Sequence, residues 1–245
     1  MGFAVGDLHG RADLLDRMMV RIGRAATEGN CANPIVVFVG DYVDRGPDSA
    51  EVIAYLLSQK PLGFEWRFLK GNHEEAMLKF IDKPVSNRGW LAHGGLETLA
   101  SYGVSPLPSI GSGPDAIVEA CEQLKANMPA THLKFLQALE RYVVFGDFVF
   151  VHAGVDRAVP LERQRDEDLF WARDRFLKDA RKFSHVVVHG HTPAPAPYQD
   201  RRRICVDIGA YATGRLCAAQ FVGSDVRFLI EEAPLTVRRN SFVVS

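Results

Sequence analysis

The chain has 245 residues, 47% hydrophobic and 24% charged, with a formal charge of -1 and a pI near 6.7. That profile gives a globular protein with enough chain to bury a substantial core, and it excludes a global electrostatic pull toward nucleic acid or an anionic membrane. Cys31, Cys121, Cys205 and Cys217 lie far apart without a C-x-x-C pair, which excludes a zinc knuckle or thioredoxin-type motif. No apolar run reaches the roughly 20 residues needed to cross a bilayer, and Asp7 follows the start too closely for a secretory leader. A single domain over 1–245 with free thiols in the cytoplasm is the expectation.

In chain order, the apolar segment Phe3 to Val5 runs into Gly6-Asp7-Leu8-His9-Gly10, after which Leu14, Leu15, Met18 and Ile22 recur at helical spacing. Strand, loop and helix follow from that pattern. It returns in Ile35 to Val39, ending at Gly40-Asp41 and followed by a helical stretch over Ala50 to Leu57. A third instance runs from Trp66-Arg67-Phe68-Leu69 into Gly71-Asn72-His73-Glu74 and a helix through Met77 and Ile81. Strands alternating with helices predict βαβ units and a largely parallel sheet. Ser105 to Pro114 is rich in Pro, Gly and Ser, and residues 115–141 read as two helical pieces broken near Pro129, a helical insertion or cap over about 104–141. Tyr142 to Phe145 and Phe148 to His152 flank the turn signal Gly146-Asp147, so antiparallel strands enter here. Apolar runs at Val186 to Val188, Ile204 to Ile208, Leu216 to Val222 and Val226 to Ile230 make the last third strand-rich.

Asp and His residues recur where these strands end, each beside glycine: Asp7 and His9, Asp41 and Asp44, Asn72 and His73, His152, then His189 and His191. In open α/β sheets ligands bind at the carboxyl ends of strands, so these groups could converge in one crevice. Asp, Asn and His supply a mixture of oxygen and nitrogen ligands suited to Mn, Fe or Zn. One carboxylate bridging two such ions would place them about 3.5 to 4 Å apart, a spacing used to aim a hydroxide at phosphorus. Taken singly, each group has a plainer reading. Asp7 could form an Asx turn or cap a helix, Asp41 and Asp44 could be turn formers, and Asn72 could cap a strand-to-helix junction.

Gly6-Asp7-Leu8-His9-Gly10, Gly40-Asp41-Tyr42-Val43-Asp44-Arg45-Gly46, Gly71-Asn72-His73-Glu74, His152-Ala153-Gly154 and Gly190-His191-Thr192 stand in order. In that order and approximate spacing the chain resembles the calcineurin-like metallophosphoesterases. Within them it is similar to the bacterial branch of the phosphoprotein (serine/threonine) phosphatases, the branch that includes the bacteriophage lambda phosphatase. The resemblance runs from about residue 3 to about residue 216. It implies an α/β fold of two mixed β-sheets packed as a sandwich and flanked by helices. It also implies two divalent metal ions, with manganese the leading expectation and iron, zinc, nickel or cobalt as alternatives. Asp7 and His9 would bind the first metal, Asp41 would bridge both, and Asn72, His152 and His191 would complete the second site. His73 would be the general acid, oriented by Asp44. Arg45 would hold phosphate oxygens together with Asn72, and Arg173, in the short motif Trp171-Ala172-Arg173, would be a second clamp.

The implied reaction is in-line attack on phosphorus by a hydroxide between the metals, with a phosphorylated protein as leading substrate. A symmetrical diadenosine tetraphosphate hydrolase, a hydrolase of small phosphate esters and a metal-dependent phosphate-ester binding module are the alternatives. Neither nucleic acid nor membrane is an expected partner, and the oligomeric state is not readable. Specificity is expected from residues 85–140 and the loops around Trp171 and Tyr198. Strand alternation places His189 and His191 on one face, so spacing alone does not choose between them. The resemblance assigns the metal to His191. Tyr42 could touch substrate or only pack.

Overall fold

The computed structural model describes residues 1–58, 63–109 and 111–234. The three predicted strand-loop-helix units form as β1 (Gly2–Val5) and α1 (Ala12–Glu28), β2 (Ile35–Phe38) and α2 (Ser49–Ser58), and β3 (Glu65–Phe68) and α3 (Asn72–Asp82). Helices α4 (Gly95–Ser101), α5 (Pro114–Asn127) and α6 (Ala130–Gln137) follow, then the hairpin of β4 (Val143–Phe145) and β5 (Phe148–Phe150). The last third comprises α7 (Asp166–Trp171), α8 (Asp174–Leu177), β6 (Val186–His189), β7 (Tyr198–Gln199), β8 (Arg203–Cys205), α9 (Ala210–Thr213), β9 (Arg215–Val222) and β10 (Asp225–Glu232).

The strands make two five-stranded sheets, ordered β10-β9-β1-β2-β3 and β4-β5-β6-β8-β7. In the first, β1, β2 and β3 are parallel while β9 and β10 run antiparallel. In the second, β5, β6 and β8 are parallel and β4 and β7 antiparallel. Both sheets are therefore mixed.

The period-two alternation of strand side chains builds the layers. Phe3, Val5, Val36 and Phe38 pack with Leu14, Met18 and Ile53 of the helices. Ala4, Val37 and Val39 point the other way, against Phe150, Val188 and Ile204 of the second sheet. Val149, Val151 and Val187 on that sheet's outer face bury Leu169, Phe170 and Phe176 from α7 and α8. Sheet packs on sheet with helices outside both, the sandwich expected. Parallel β1, β2 and β3 end on one edge, as do β5 and β6, so the loops that follow them are brought toward a common rim.

The break near Pro129 falls where expected, between α5 and α6. These helices lie against α3 and α2, and Ile117, Leu124, Phe135 and Leu136 join the core beneath the first sheet. They thicken the helical layer. Residues 88–101 carried no helical expectation, yet a 3-10 turn over Arg88–His93 leads into α4. The strand expected over Ile204 to Ile208 pairs only as far as Cys205, because the chain then turns toward the rim, where Asp207 Oδ1 accepts the Gly209 N–H at 2.8 Å. No described helix is long and apolar enough to cross a membrane.

Candidate active site

The strand-end loops are knitted together by backbone bonds before any side chain is considered. Leu8 and His9 N–H both donate to Asp41 O, at 3.0 and 2.8 Å, and Gly10 N–H donates to Tyr42 O. Glu74, at the start of α3 and fully buried, accepts the N–H groups of Asp41, Tyr42, Val43 and Gly71 at 2.7 to 3.2 Å. One carboxylate thus fixes the second and third loops. Across the sheets, Gly190 N–H donates to His152 O and His191 N–H to Asp7 Oδ2 at 2.9 Å. Gly190 has to be glycine, since a Cβ there would sit 2.0 Å from Asp7 Oδ1.

His9, Asp41, Asp44, Arg45 and His191 all have positive φ. Such backbone is costly for residues with side chains and concentrates at functional sites. The local readings give way here. α1 is preceded by Arg11 without a side-chain cap, so neither Asp7 nor His9 caps it. Asn72 is the first residue of α3, and its Oδ1 turns away to His152 Nε2 at 2.9 Å and His191 Nδ1 at 2.8 Å.

Asp41 stands at the centre, with one oxygen toward each of two groups. Its Oδ2 lies 3.4 Å from His9 Nε2 and 3.9 Å from His73 Nε2, and its Oδ1 lies 3.4 Å from His152 Nε2. Ligand atoms of His9, Asp41 and His73 are mutually close, as are those of Asp41, His152 and His191. His73, expected as the acid, therefore stands within the first group. Asp7, expected there as a ligand, belongs to neither of these groups, although its Oδ1 is buried and has no hydrogen-bond partner.

Proton positions follow from the carbonyls. His9 Nδ1 is 2.8 Å from Val43 O and His152 Nδ1 is 2.9 Å from Val39 O. A carbonyl only accepts, so each Nδ1 carries the hydrogen and each Nε2 presents a lone pair in the neutral ring. Burial pushes His9 down to about 3 and His191 to about 2, and lowers His152 as well. The rings are thus neutral at neutral pH, the form that ligates metals. His152 Nε2, Asn72 Oδ1 and Asp41 Oδ1 are then acceptors facing one another, with at most one proton, on His191 Nδ1, to share. A cation resolves that arrangement, and the buried, unpartnered Asp7 Oδ1 and His191 Nε2 are consistent with it. The donor set fits divalent metals. Burial alone would raise Asp41, but at acid pH the protonated rings of His152, His73, His9 and His191 around it keep its carboxylate ionised well below the usual range. Asp7 is raised, by burial first and then by Asp207 and Asp41.

Beside the metal cluster, His73 Nδ1 meets Asp44 Oδ2 at 2.6 Å, and its Nε2 faces Arg45 Nη2 at 2.9 Å. Burial disfavours the imidazolium, but Asp41 and Asp44 outweigh it and raise the His73 pKa. Asp44 is fully buried and held by residues the motifs did not flag. Trp90 Nε1–H donates to Oδ2 at 2.8 Å and the Thr98 hydroxyl to Oδ1 at 2.7 Å. The Arg45 guanidinium lies 4.7 Å from the Tyr211 ring centroid, which also meets the His9 ring edge-on at 5.3 Å.

A pocket of about 390 Å³ opens from Arg45, Asn72 and His73 toward Lys79, Trp171 and Arg173. Arg173 lines the same pocket. Tyr198 lies elsewhere, on β7 with Arg203 over its ring at 4.2 Å. Tyr42 packs, its hydroxyl donating to Leu69 O at 2.9 Å. His189 and His191 do not share a strand face, because β6 ends at His189 and His191 is left-handed at φ 63°. His189 is held by Gly190 O at 3.0 Å and Arg203 Nη1 at 3.1 Å, and His191 enters the cluster.

Fold and donor set together define a metal-dependent phosphoesterase. Residues 3–221 match the family described as calcineurin-like phosphoesterase, and the chain belongs to that family. Among curated relatives, it is 25% identical over 236 residues to an asymmetrical bis(5'-nucleosyl)-tetraphosphatase PrpE of Oceanobacillus iheyensis, covering 89% of this chain and 87% of the relative. The Bacillus subtilis protein of the same name is 25% identical over 237 residues, covering 89% of each. Among solved structures, a candidate diadenosine tetraphosphatase aligns with TM-score 0.59 and 22% identity over 94% of this chain and 92% of that one. A serine/threonine phosphatase of Saccharomyces cerevisiae aligns with TM-score 0.53 and 16% identity, over 97% and 81%. These structural likenesses support the fold alone.

Proposed function

We propose that this chain hydrolyses dinucleoside tetraphosphates asymmetrically, water and the substrate giving a nucleoside triphosphate and a nucleoside monophosphate. The observation that carries the reading is the pocket beside His73 and Arg45. At about 390 Å³ it continues well past the room a single phosphoryl group needs, and its walls are cationic and aromatic. The two curated relatives named above are both described as asymmetrical tetraphosphatases, which favours this over the phosphoprotein substrate and over symmetrical cleavage.

Asp7, His9, Asp41, Asn72, His152 and His191 would hold two divalent ions, with His73 adjoining the first. Such ions supply Lewis-acid activation of a water and charge that opposes the phosphoryl oxygens. Arg45, backed by Tyr211, presents a guanidinium fork to phosphate oxygens, a bidentate match that strengthens as charge builds up at phosphorus. Arg173 is the second clamp. With its Nδ1 committed to Asp44, His73 turns Nε2 toward Arg45 Nη2; once substrate phosphate takes over that guanidinium, Nε2 would be free to carry a proton and pass it to the leaving oxygen.

The test is product analysis with manganese-loaded protein. Diadenosine tetraphosphate should give equal ATP and AMP. Two ADP would establish symmetrical cleavage instead, and a higher kcat/KM on a phosphothreonine peptide would return the chain to the protein phosphatases.

A further inference from the structure

Part of the pocket wall is organised by one carboxylate that the phosphoesterase chemistry does not use. Glu75 Oε2 accepts the Trp171 indole N–H at 2.6 Å, and Glu75 Oε1 pairs with Lys79 Nζ at 3.1 Å. An aromatic plane and an ammonium group are thereby fixed side by side. The indole is 42% exposed, while its one polar atom is already satisfied, so what it offers the pocket is its apolar face.

The phosphate site borders the same pocket through Arg45 and Asn72. Asn72, Ala76 and Lys79 all line the pocket and stand at helical spacing along one face of α3. At 1.5 Å per residue, Lys79 starts about 10 Å along the axis from Asn72. The residue between them is an alanine, which leaves the path open. Arg173 borders the same space, and its guanidinium has no ion-pair partner among the described residues.

We infer that Trp171, Lys79 and Arg173 form a nucleotide subsite. A nucleobase lies on the Trp171 face, and Lys79 holds a phosphate beyond the one that Arg45 and Arg173 clamp. The inference deepens the dinucleotide reading and rests on it. Glu75 is a positioning residue that sets the indole plane. Base-on-aromatic stacking tolerates different bases, because every base has a π-face, so the subsite selects nucleotides over phosphopeptides without selecting a particular base.

The experiment compares wild type, Trp171→Ala and Trp171→Phe, each loaded with manganese, on diadenosine tetraphosphate and p-nitrophenyl phosphate. Trp171→Ala should lower the ratio of the two kcat/KM values by about 10-fold or more, the scale of a lost stacking contact. Trp171→Phe, which keeps a ring, should recover part of the loss. Indole fluorescence quenching by AMP should likewise weaken in both variants. An equal fall on both substrates would mean that Trp171 only supports the fold, and the subsite would be wrong while the substrate reading stood. Wild-type turnover of p-nitrophenyl phosphate with none of the dinucleotide would overturn the substrate reading and the subsite with it.

Discussion

Replacing Thr98 by valine tests whether Asp44 is held in place by the groups found around it. Thr98 is fully buried; its hydroxyl donates to Asp44 Oδ1 at 2.7 Å and accepts the Asp44 N–H at 2.9 Å. Valine keeps the branched shape and puts a methyl where the hydroxyl was. The backbone N–H keeps a partner in Ser49 Oγ at 3.0 Å, so it adds little penalty. The carboxylate keeps His73 and Trp90 on Oδ2 but loses its donor on Oδ1, and a hydrogen bond to a charged group contributes about 1.5–3 kcal/mol. The expected destabilisation is about 2 kcal/mol, or roughly 4–8 °C in Tm for a chain of this size. Urea unfolding of Thr98→Val against Thr98→Ser, which keeps the hydroxyl, measures it. Turnover should fall in the valine variant, because Asp44 orients His73. If the two variants were equally stable to within about 0.5 kcal/mol and equally active, the hydroxyl would not be supporting Asp44, and the reasoning would fail.

Three further outcomes are expected. Asp41→Asn should weaken both metal sites together, by more than the roughly 10–100-fold that loss of an outer-shell partner costs, because one Asp41 oxygen faces each group. Metal titration showing one site at full affinity would contradict a bridging role. His73→Ala should lower kcat by about 10²–10⁴-fold on a poor leaving group and by less on p-nitrophenyl phosphate, whose leaving group needs little protonation; an equal loss on both would remove His73 as the acid. Asp200 is held down to about 2, since bonds from Arg202, Arg203 and Tyr198 outweigh its burial. Its folded pKa lies below the unfolded one, so its stabilising contribution is present above about pH 4 and fades as pH falls toward 2. In acid unfolding, the stability gap between wild type and Asp200→Asn should close over that window, and a gap independent of pH would argue against the shift.

Much of the site was legible because its ligands sit in short loops directly after strands. Asp7 and His9, Asp41 to Arg45, and Asn72 and His73 each lie within a few residues of an apolar run, so pattern and resemblance both reached them. Other groups carried no local signal. Trp90 and Thr98 reach Asp44 across sequence separations of 46 and 54, and Tyr211 lies under Arg45 from the far end of the chain. Glu74 was visible in its motif, but its task is to bind backbone N–H groups of another loop.

The sequence by itself determined the strand-loop-helix units, the ligand types and their order, because hydrophobic period and loop chemistry are local properties. The order of the second sheet, the open face of Trp171 and the physical ground for His191 over His189, which the resemblance had only assigned, were decided by tertiary structure. His191 enters the cluster because the chain leaves β6 at Gly190, where only glycine clears Asp7. Trp171 presents its face because Glu75, from a helix 96 residues away in sequence, holds its edge. Both depend on contacts between segments distant in the chain, which no pattern within either segment encodes.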